Sequence, residues 1–561
     1  MNTKKLVLRL SLFSIFTIIG WFILTFIIMP VFGVLNEIFF SNGDFSFAVI
    51  KKLTDSSRVM KSLGNTYVMT FWTVITVNIV GIFQIMVTEY FDIKGSRLLN
   101  LAFITPLIYG GISLVSGYKF VYDSGGILTK GLYALLPFIN RDWFTGFTGV
   151  LFVHTFSLTS SHLLFVKTAF KKIDYSTIEA AKSMGASDFQ AFFKVAMPIV
   201  KPALFTTTIL VALSSMNSFA APSMLGGRDF YMINSMIQNL NSINRRDLAA
   251  LLSFILAITC IILLSVFKYI ESKGTYISVS KVSTKLKKIK IKNPVLNVFM
   301  HAVSYLMFLI YSLPILAIVL FSLSDYATII SRKLPTHLTL ENYIRVFSSN
   351  VAIRPFINSI TLSAIAVAIV LVLCVISSLA IHKFKNKATL ILEYTLLIPW
   401  IIPGILLVVG QIAIFSTPNP LVFGQILLGG FMLLPIAYAV AKIPSAMRLA
   451  RASLYMINGS HEEAAKSLGA GPVRIFFKII LPVIMPTIAA IGAISFNSLL
   501  SEYTITALLY SVNNVPLGIA LRSPEALPDP YSEASQLVYI VVLMIISSIT
   551  LFLTRKSRNR M

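Results

Sequence analysis

Residues 179–204 read EAAKSMGASDFQAFFKVAMPIVKPAL, and residues 463–488 read EAAKSLGAGPVRIFFKIILPVIMPTI. The spacing between Glu179 and Glu463, called the repeat offset below, holds without a gap across the whole segment. It reaches upstream as well, since Ser176 and Ser460 each stand three positions before the shared glutamate. A match of this length within one chain is an internal repeat, and it organises the sequence around it. A second echo lies earlier in each half, where Leu63-Gly64-Asn65-Thr66 resembles Phe356-Ile357-Asn358-Ser359.

The repeat is embedded in a strongly apolar chain. Of 561 residues, 56% are hydrophobic and 12% charged, and the mean hydropathy is +0.82. An ordinary soluble domain carries about 25% charged residues. Apolar runs long enough to cross roughly 30 Å of hydrocarbon recur from Leu10 to Leu553. Hydropathy predicts twelve spans, at about 8–36, 65–90, 98–120, 145–168, 202–225, 248–270, 297–322, 355–381, 389–415, 421–441, 486–510 and 534–554. The fifth and eleventh carry the most polar residues. The predicted fold is an all-α polytopic membrane protein in two homologous six-helix halves, 1–270 and 296–561, with the repeated segment between the fourth and fifth span of each. The lysine-rich stretch 271–295 lacks apolar periodicity and reads as a cytoplasmic linker.

Charge sets the predicted topology. Lys and Arg concentrate in the segments that lie inside if both termini are cytoplasmic, the bias expected of an inner-membrane protein. The net charge of +25 then reflects loops such as 281–292 and 383–387 lying against anionic lipid, not nucleic acid. Lys4 and Lys5 precede an apolar stretch too long for a signal peptide, with no small-residue cleavage site before the second span, so it reads as an anchor. Cys260 and Cys374 both fall within spans and have neither metal nor disulfide spacing.

The repeated segment, about 174–200 and 458–484, predicts a helix–turn–helix shelf on the cytoplasmic face. Ser176 with Glu179, and Ser460 with Glu463, have capping-box spacing. Gly185 and Gly469 supply a turn that tolerates positive φ. Phe189, Phe192, Phe193 and Ala196 are spaced for one apolar face of a second helix. The prolines Pro198 with Pro202, and Pro482 with Pro486, are expected to end it.

The pattern Glu179-Ala180-Ala181, Gly185, Val195, Met197, Pro198, repeated as Glu463-Ala464-Ala465, Gly469, Ile479, Leu481, Pro482, resembles the signature of the permease subunits of bacterial binding-protein-dependent ABC importers. Val195 and Met197 depart mildly from it, the family more often having Ile and Leu there. The resemblance covers the whole chain. It implies a type I importer permease fold, with each shelf docking one of two copies of a cytoplasmic ATPase that carries the ATP and Mg²⁺. It also implies an extracytoplasmic binding protein that delivers cargo, and no cofactor or catalytic residue in this chain. Fused permeases of this length look most like those for ferric iron. Permeases for thiamine and 2-aminoethylphosphonate are close relatives of that group, which the stretches 218–227 and 498–509 resemble, and the first stretch also resembles polyamine permeases.

Several residues carry more than one reading. Glu179 and Glu463 could serve as helix caps alone, His154 reads as a core hydrogen-bonding residue, and the scattered methionines read as packing. Asn217 and Ser218 align by the repeat offset with Ser501 and Glu502. Acids inside membranes are costly and face a cavity or partner, so these four, with Ser498, are the candidate translocation path. Glu502 is expected well inside the eleventh span, as a gate bonded to Asn217 or Ser218 or as a cation attractor. A twelve-span secondary transporter is the rival class. Against it stand the long fourth-to-fifth connection and a short second-to-third loop without a basic cluster. No HExxH, nucleophile–base set, metal-ligand cluster or phosphate loop occurs, so a nucleotide site belongs on another polypeptide.

Overall fold

Among the described residues, ten helices are long and apolar enough to cross a membrane, and the number of spans is twelve if each of two bent helix pairs counts as one. The computed structural model describes residues 14–558 apart from 15, 42–43, 139, 228, 274–286, 385, 456, 458 and 525–526, so Lys4, Lys5 and much of the linker lie outside them. In chain order the spans are Phe16–Phe39, Ser57–Tyr90, Ser96–Leu107 with Ile112–Leu135, Gly146–Phe170, Asp188–Met216, Arg246–Ile270, Pro294–Ser322, Asn350–Phe384, Lys387–Ile401 with Gly404–Phe415, Leu433–Tyr455, Pro472–Leu500 and Ser532–Thr554. These are called spans one to twelve below.

Order and number agree with the hydropathy reading, and the differences have physical causes. Span ten starts at Leu433, well beyond the expected 421. Apolar residues of the preceding loop pull the hydropathy window forward, while the more polar stretch from Lys442 to Tyr455 continues the helix and drops out of it. Spans three and nine are bent by 117° and 103°, which average hydropathy cannot register. The linker is not a free tether along its whole length. Ile289 is buried and pairs with the end of span two, its N–H donating to the Tyr90 carbonyl (2.9 Å) and its carbonyl accepting from Asp92 N–H (2.9 Å).

The shelf prolines do not end their helices. Span five runs from Asp188 to Met216 with Pro202 inside it, and span eleven from Pro472 to Leu500 with Pro486 inside it. A proline ring normally clashes with the carbonyl four residues back. Here the carbonyls of Lys194 and Lys478 lie in widened π-helical turns, Phe192–Ala196 and Phe476–Ile480, which precede Pro198 and Pro482. Met197 N–H bonds to Phe192 and Leu481 N–H to Phe476, five residues back, so the ring is accommodated and the helix continues. The turn Leu24–Ile28 does the same ahead of Pro30 in span one.

The two halves exchange their first helices. Ile19, Phe22, Phe26 and Ile27 of span one pack among Leu362, Cys374, Val408 and Phe415 of the second half. Ile318 and Phe321 of span seven pack among Tyr118 and Val121 of the first. The contacts are related by the repeat. Pro30 meets Gly410, and Pro314, which the repeat offset relates to Pro30, meets Gly117. Lipid tails are as apolar as leucine, so helices associate in a membrane through close packing at small residues. The two glycines differ in what a methyl would meet: the Pro30 backbone at Gly410, but the tip of the Ile318 side chain (2.7 Å) at Gly117. Gly410→Ala is therefore expected to destabilise the purified protein by about 1–3 kcal/mol and Gly117→Ala by under about 1 kcal/mol. Thermal unfolding in detergent measures both, and equal losses would contradict the backbone contact.

Candidate functional site: two shelves and a cavity between the halves

Each shelf is a short helix, a glycine turn and the start of a long span. The first helix is Tyr175–Ser183, capped by Asp174, whose side chain accepts from Ser176 N–H. Ser176 lies inside the helix, so the expected Ser176–Glu179 capping box is not formed. A capping box does occur one turn later, between Ser187 and Gln190. In the second shelf the helix is Gly459–Ser467 and Ser460 again lies inside it, while position 458 is outside the described residues. The turns match the sequence reading. Gly185 has φ +93° and Gly469 φ +76°, the left-handed region that glycine enters without strain. Ala186 N–H reaches back to the Ala181 carbonyl and Ala470 N–H to that of Ala465, both at 3.0 Å, closing the helix end in a Schellman motif.

That turn determines what each shelf presents. Ala181 and Ala465 are buried under it, whereas Glu179, Ala180, Glu463 and Ala464 face out. Neither Glu179 nor Glu463 forms an ion pair among the described residues. At the tip, Met184 is 82% and Leu468 88% exposed. These two apolar knobs are repeat equivalents, each just before the glycine, and the sequence reading does not single them out. Their signal is a large apolar residue at the apex of a polar turn in both copies. Of the four residues assigned to the apolar face, Phe192 and Ala196 are buried and Phe189 partly so, but Phe193 is exposed. The shelf is fastened by Tyr90, whose hydroxyl donates to the Asp188 carbonyl (2.8 Å), and by the Phe91–Phe189 ring contact (5.2 Å).

Beyond the shelves, spans five and eleven end at Met216 and Leu500 and give way to short segments. The echo at Asn65 and Asn358 belongs here. Asn65 donates to the Tyr231 carbonyl (3.0 Å) and Thr66 Oγ1 accepts from Ile233 N–H (2.8 Å). Asn358 donates to the Val515 carbonyl (3.1 Å) and Ser359 Oγ accepts from Leu517 N–H (2.8 Å). Tyr231 and Val515, like Ile233 and Leu517, are related by the repeat offset, so both halves pin equivalent loops with equivalent side chains. His154 bonds Ser218 (2.8 Å) through Nε2, and its repeat equivalent, Tyr438, bonds Thr506.

A cavity of about 440 Å³ lies between the halves. Ser214, Asn217 and Asn234 line it from the first half, and Trp400, Glu502 and Thr504 from the second. Of the five path candidates, Asn217 and Glu502 therefore share one space. Ser218 is directed to His154, Ser498 bonds the Ser495 carbonyl within its helix (2.9 Å), and Ser501 caps the end of span eleven. Glu502 stands in the break after the helix, not well inside it, and bonds neither Asn217 nor Ser218. Its carboxylate accepts from the N–H groups of Ile505 and Thr506 and from the Thr506 hydroxyl, at 3.0–3.1 Å. Trp400 is a lining residue that the sequence reading misses. It sits in a further echo, Thr105-Pro-Leu-Ile-Tyr-Gly-Gly111 against Ile398-Pro-Trp-Ile-Ile-Pro-Gly404, at the same spacing that relates Asn65 to Asn358.

Comparison with known proteins gives the following. The sequence profile of the family described as binding-protein-dependent transport system inner membrane component matches residues 57–273 and 379–561. A protein of Sinorhizobium fredii, named a probable ABC transporter permease, is 41% identical over 97% of this chain and 96% of its own. An Fe(3+)-transport system permease protein of Haemophilus influenzae is 25% identical over 89% of this chain and 90% of its own. A Salmonella typhi protein described as a 2-aminoethylphosphonate transport system permease is 23% identical over 35% of this chain and 69% of its own.

The Glu502 geometry yields a test. Glu502→Ala leaves two backbone N–H groups without their acceptor and is expected to cost about 1–3 kcal/mol of stability, while Glu502→Gln keeps one acceptor oxygen and costs less. Thermal unfolding of the two variants measures this, and equal stability of Ala and Gln would contradict a bonding role for the carboxylate.

Proposed function

The chain belongs to the family of binding-protein-dependent transport system inner membrane components, and on that premise we propose that one copy forms the complete membrane pathway of an ATP-driven importer. The observation that carries this reading is the paired shelf, with exposed Met184 and Leu468 on glycine turns flanked by Glu179 and Glu463. Two such surfaces on one chain suit two copies of a cytoplasmic ATPase. ATP and Mg²⁺ belong to that partner, and this chain contributes no catalytic residue. The shelf face is the cytoplasmic one, by the lysine and arginine bias, and an even number of spans puts both termini there. An extracytoplasmic binding protein selects the cargo and presents it at the opposite face. Family membership leaves the secondary-transporter alternative without support.

Ferric iron is the cargo we favour. The iron-permease likeness runs over most of the chain, whereas the phosphonate-permease likeness covers about a third. The cavity adds a physical argument. No Lys or Arg is among the residues lining it, so a phosphonate dianion would find no pairing cation on its walls. Thiamine and polyamines remain alternatives carried by resemblance alone. Uptake of labelled ferric iron, competed against 2-aminoethylphosphonate, discriminates between the first two. Inhibition of iron uptake by the phosphonate at comparable concentration would overturn the assignment.

Three further outcomes test the architecture. The intact complex is expected to have the mass of one copy of this chain with two ATPase copies, and two copies of this chain per assembly would refute the proposal. ATP hydrolysis by the purified chain alone would refute it too. Gly185→Val or Gly469→Val forces a β-branched residue into left-handed backbone, at ~1–2 kcal/mol. Each should lower ATPase co-purification and uptake without lowering membrane insertion. Normal uptake by both variants would remove the docking role from the shelf.

A further inference from the structure

The linker does more than join the halves. Ile289 pairs with the end of span two, and this holds its neighbour Lys288 against the first half, where the ammonium donates to the Ser96 hydroxyl (2.7 Å). Lys288 thereby forms one side of a cleft of about 600 Å³ on the shelf face. Glu89 at the end of span two, Ser96, Arg97 and Asn100 at the start of span three, and Lys167 near the end of span four form the other walls. Separate stretches of chain thus bring three cations to one opening that holds a single carboxylate.

The charges in this cleft are not balanced. Lys167 pairs with Glu89 and donates to the Asn100 side-chain carbonyl (2.6 Å), so the carboxylate is already engaged. Arg97 and Lys288 form no ion pair among the described residues. Partial burial holds the Lys288 ammonium below the ordinary lysine pKa. Glu89 and Asp92 oppose that shift, and the like charges of Lys167 and Arg97 add to it. Like charges gathered around a partly desolvated space repel one another, and a bound anion relieves that repulsion.

The second half shows what the fold itself requires at this place. Lys167 corresponds by the repeat offset to Arg451, while Arg97 and Asn100 correspond to Leu390 and Glu393 at the spacing that relates Asn65 to Asn358. Arg451 is paired with Glu393, one cation with one carboxylate. In the first half Glu89 supplies the carboxylate instead, and Arg97 stands where the second half has a leucine, so its charge is not a requirement of the fold. Leu101 also lines the cleft and is exposed. It gives the cleft an apolar border, which suits the chain of a lipid beside its headgroup.

We propose that this cleft binds a phosphate group, held by Arg97, Lys167 and Lys288 and carried either by the headgroup of an anionic lipid or by a soluble phosphate. A guanidinium presents parallel donors to phosphate oxygens, and the ammonium groups act as point charges beside it. Basic pockets at the cytoplasmic ends of spans suit anionic headgroups. The bound group bridges the linker, span three and span four next to Tyr90, whose hydroxyl fastens the first shelf. Occupancy therefore ties the linker to the anchor of that shelf.

The test measures binding to the full chain purified in detergent, by native mass spectrometry with phosphatidylglycerol or phosphatidylcholine and by equilibrium dialysis with labelled inorganic phosphate. Arg97→Gln/Lys288→Gln removes two cations that hold no ion pair and should weaken binding of the anionic probe by at least about tenfold. Lys290→Gln/Lys292→Gln removes the same charge from exposed linker positions outside the cleft and should bind like the parent. Arg97→Lys/Lys288→Arg keeps both charges and should bind within about threefold of the parent. A cleft-dependent preference for phosphatidylglycerol over phosphatidylcholine supports the site with a lipid as the source. Cleft-dependent binding of inorganic phosphate without that preference supports it with a soluble source. The proposal is overturned if the parent binds neither probe or if Arg97→Gln/Lys288→Gln binds both as the parent does. It is equally overturned if either of the other two double variants loses as much binding.

Discussion

The exchange of first helices between the halves is the constraint on which the remaining architecture rests. Span one packs against the second half and span seven against the first, and the tightest points of these contacts are Pro30 on Gly410 and Pro314 with Ile318 on Gly117. In hydrocarbon no hydrophobic force drives two helix bundles together, so their association depends on backbones approaching where side chains are small. A proline facing a glycine provides that approach without a buried polar group. Because the contact is made twice and reciprocally, the halves are clasped at their periphery. They can then separate at the centre without falling apart, and a cavity can exist between them.

Inside that clasp, broken helices are tolerated only where their polar backbone is satisfied by protein. Asn65 with Thr66, and Asn358 with Ser359, satisfy the loops after spans five and eleven, and the Glu502 carboxylate does so at the last break. The polar residues of the deep membrane are therefore mostly structural, and the groups left facing the cavity are few: Asn217, Asn234, Ser214, Thr504 and one side of Glu502.

The widened turns before Pro198 and Pro482 join the shelves to the helix breaks beside the cavity. Without them each proline would divide the shelf from its span and introduce a hinge. With them, one helix runs from Asp188 to Met216 and another from Pro472 to Leu500. Each shelf is thus continuous with the residues next to Asn217 and Glu502. The shelves themselves are not equivalent. The first is fastened by Tyr90 and Phe91, to which the linker end at Ile289 is paired, so its freedom differs from that of the second.

What the sequence determined by itself was periodic or repeated. Twelve spans follow from runs of apolar residues, the two halves from the repeat offset, and the shelf turns from Gly185 and Gly469, because a positive φ leaves glycine as its local trace. These are properties of single segments, and one segment at a time suffices to read them. The capping of the shelves is not legible in this way, since Asp174 outcompetes Ser176 by its position relative to the first helical turn. The prolines mislead because the π-helical turns that accommodate them have no composition of their own. The direction of Glu502 is equally hidden, because its choice among Asn217, Ser218 and its own following backbone depends on where span eleven stops. Contacts between the halves, Phe219 on Tyr503 and Pro30 on Gly410, were decided only in the tertiary structure. A repeat shows which residues are equivalent, but only the placement of the two halves about their axis determines which equivalents touch.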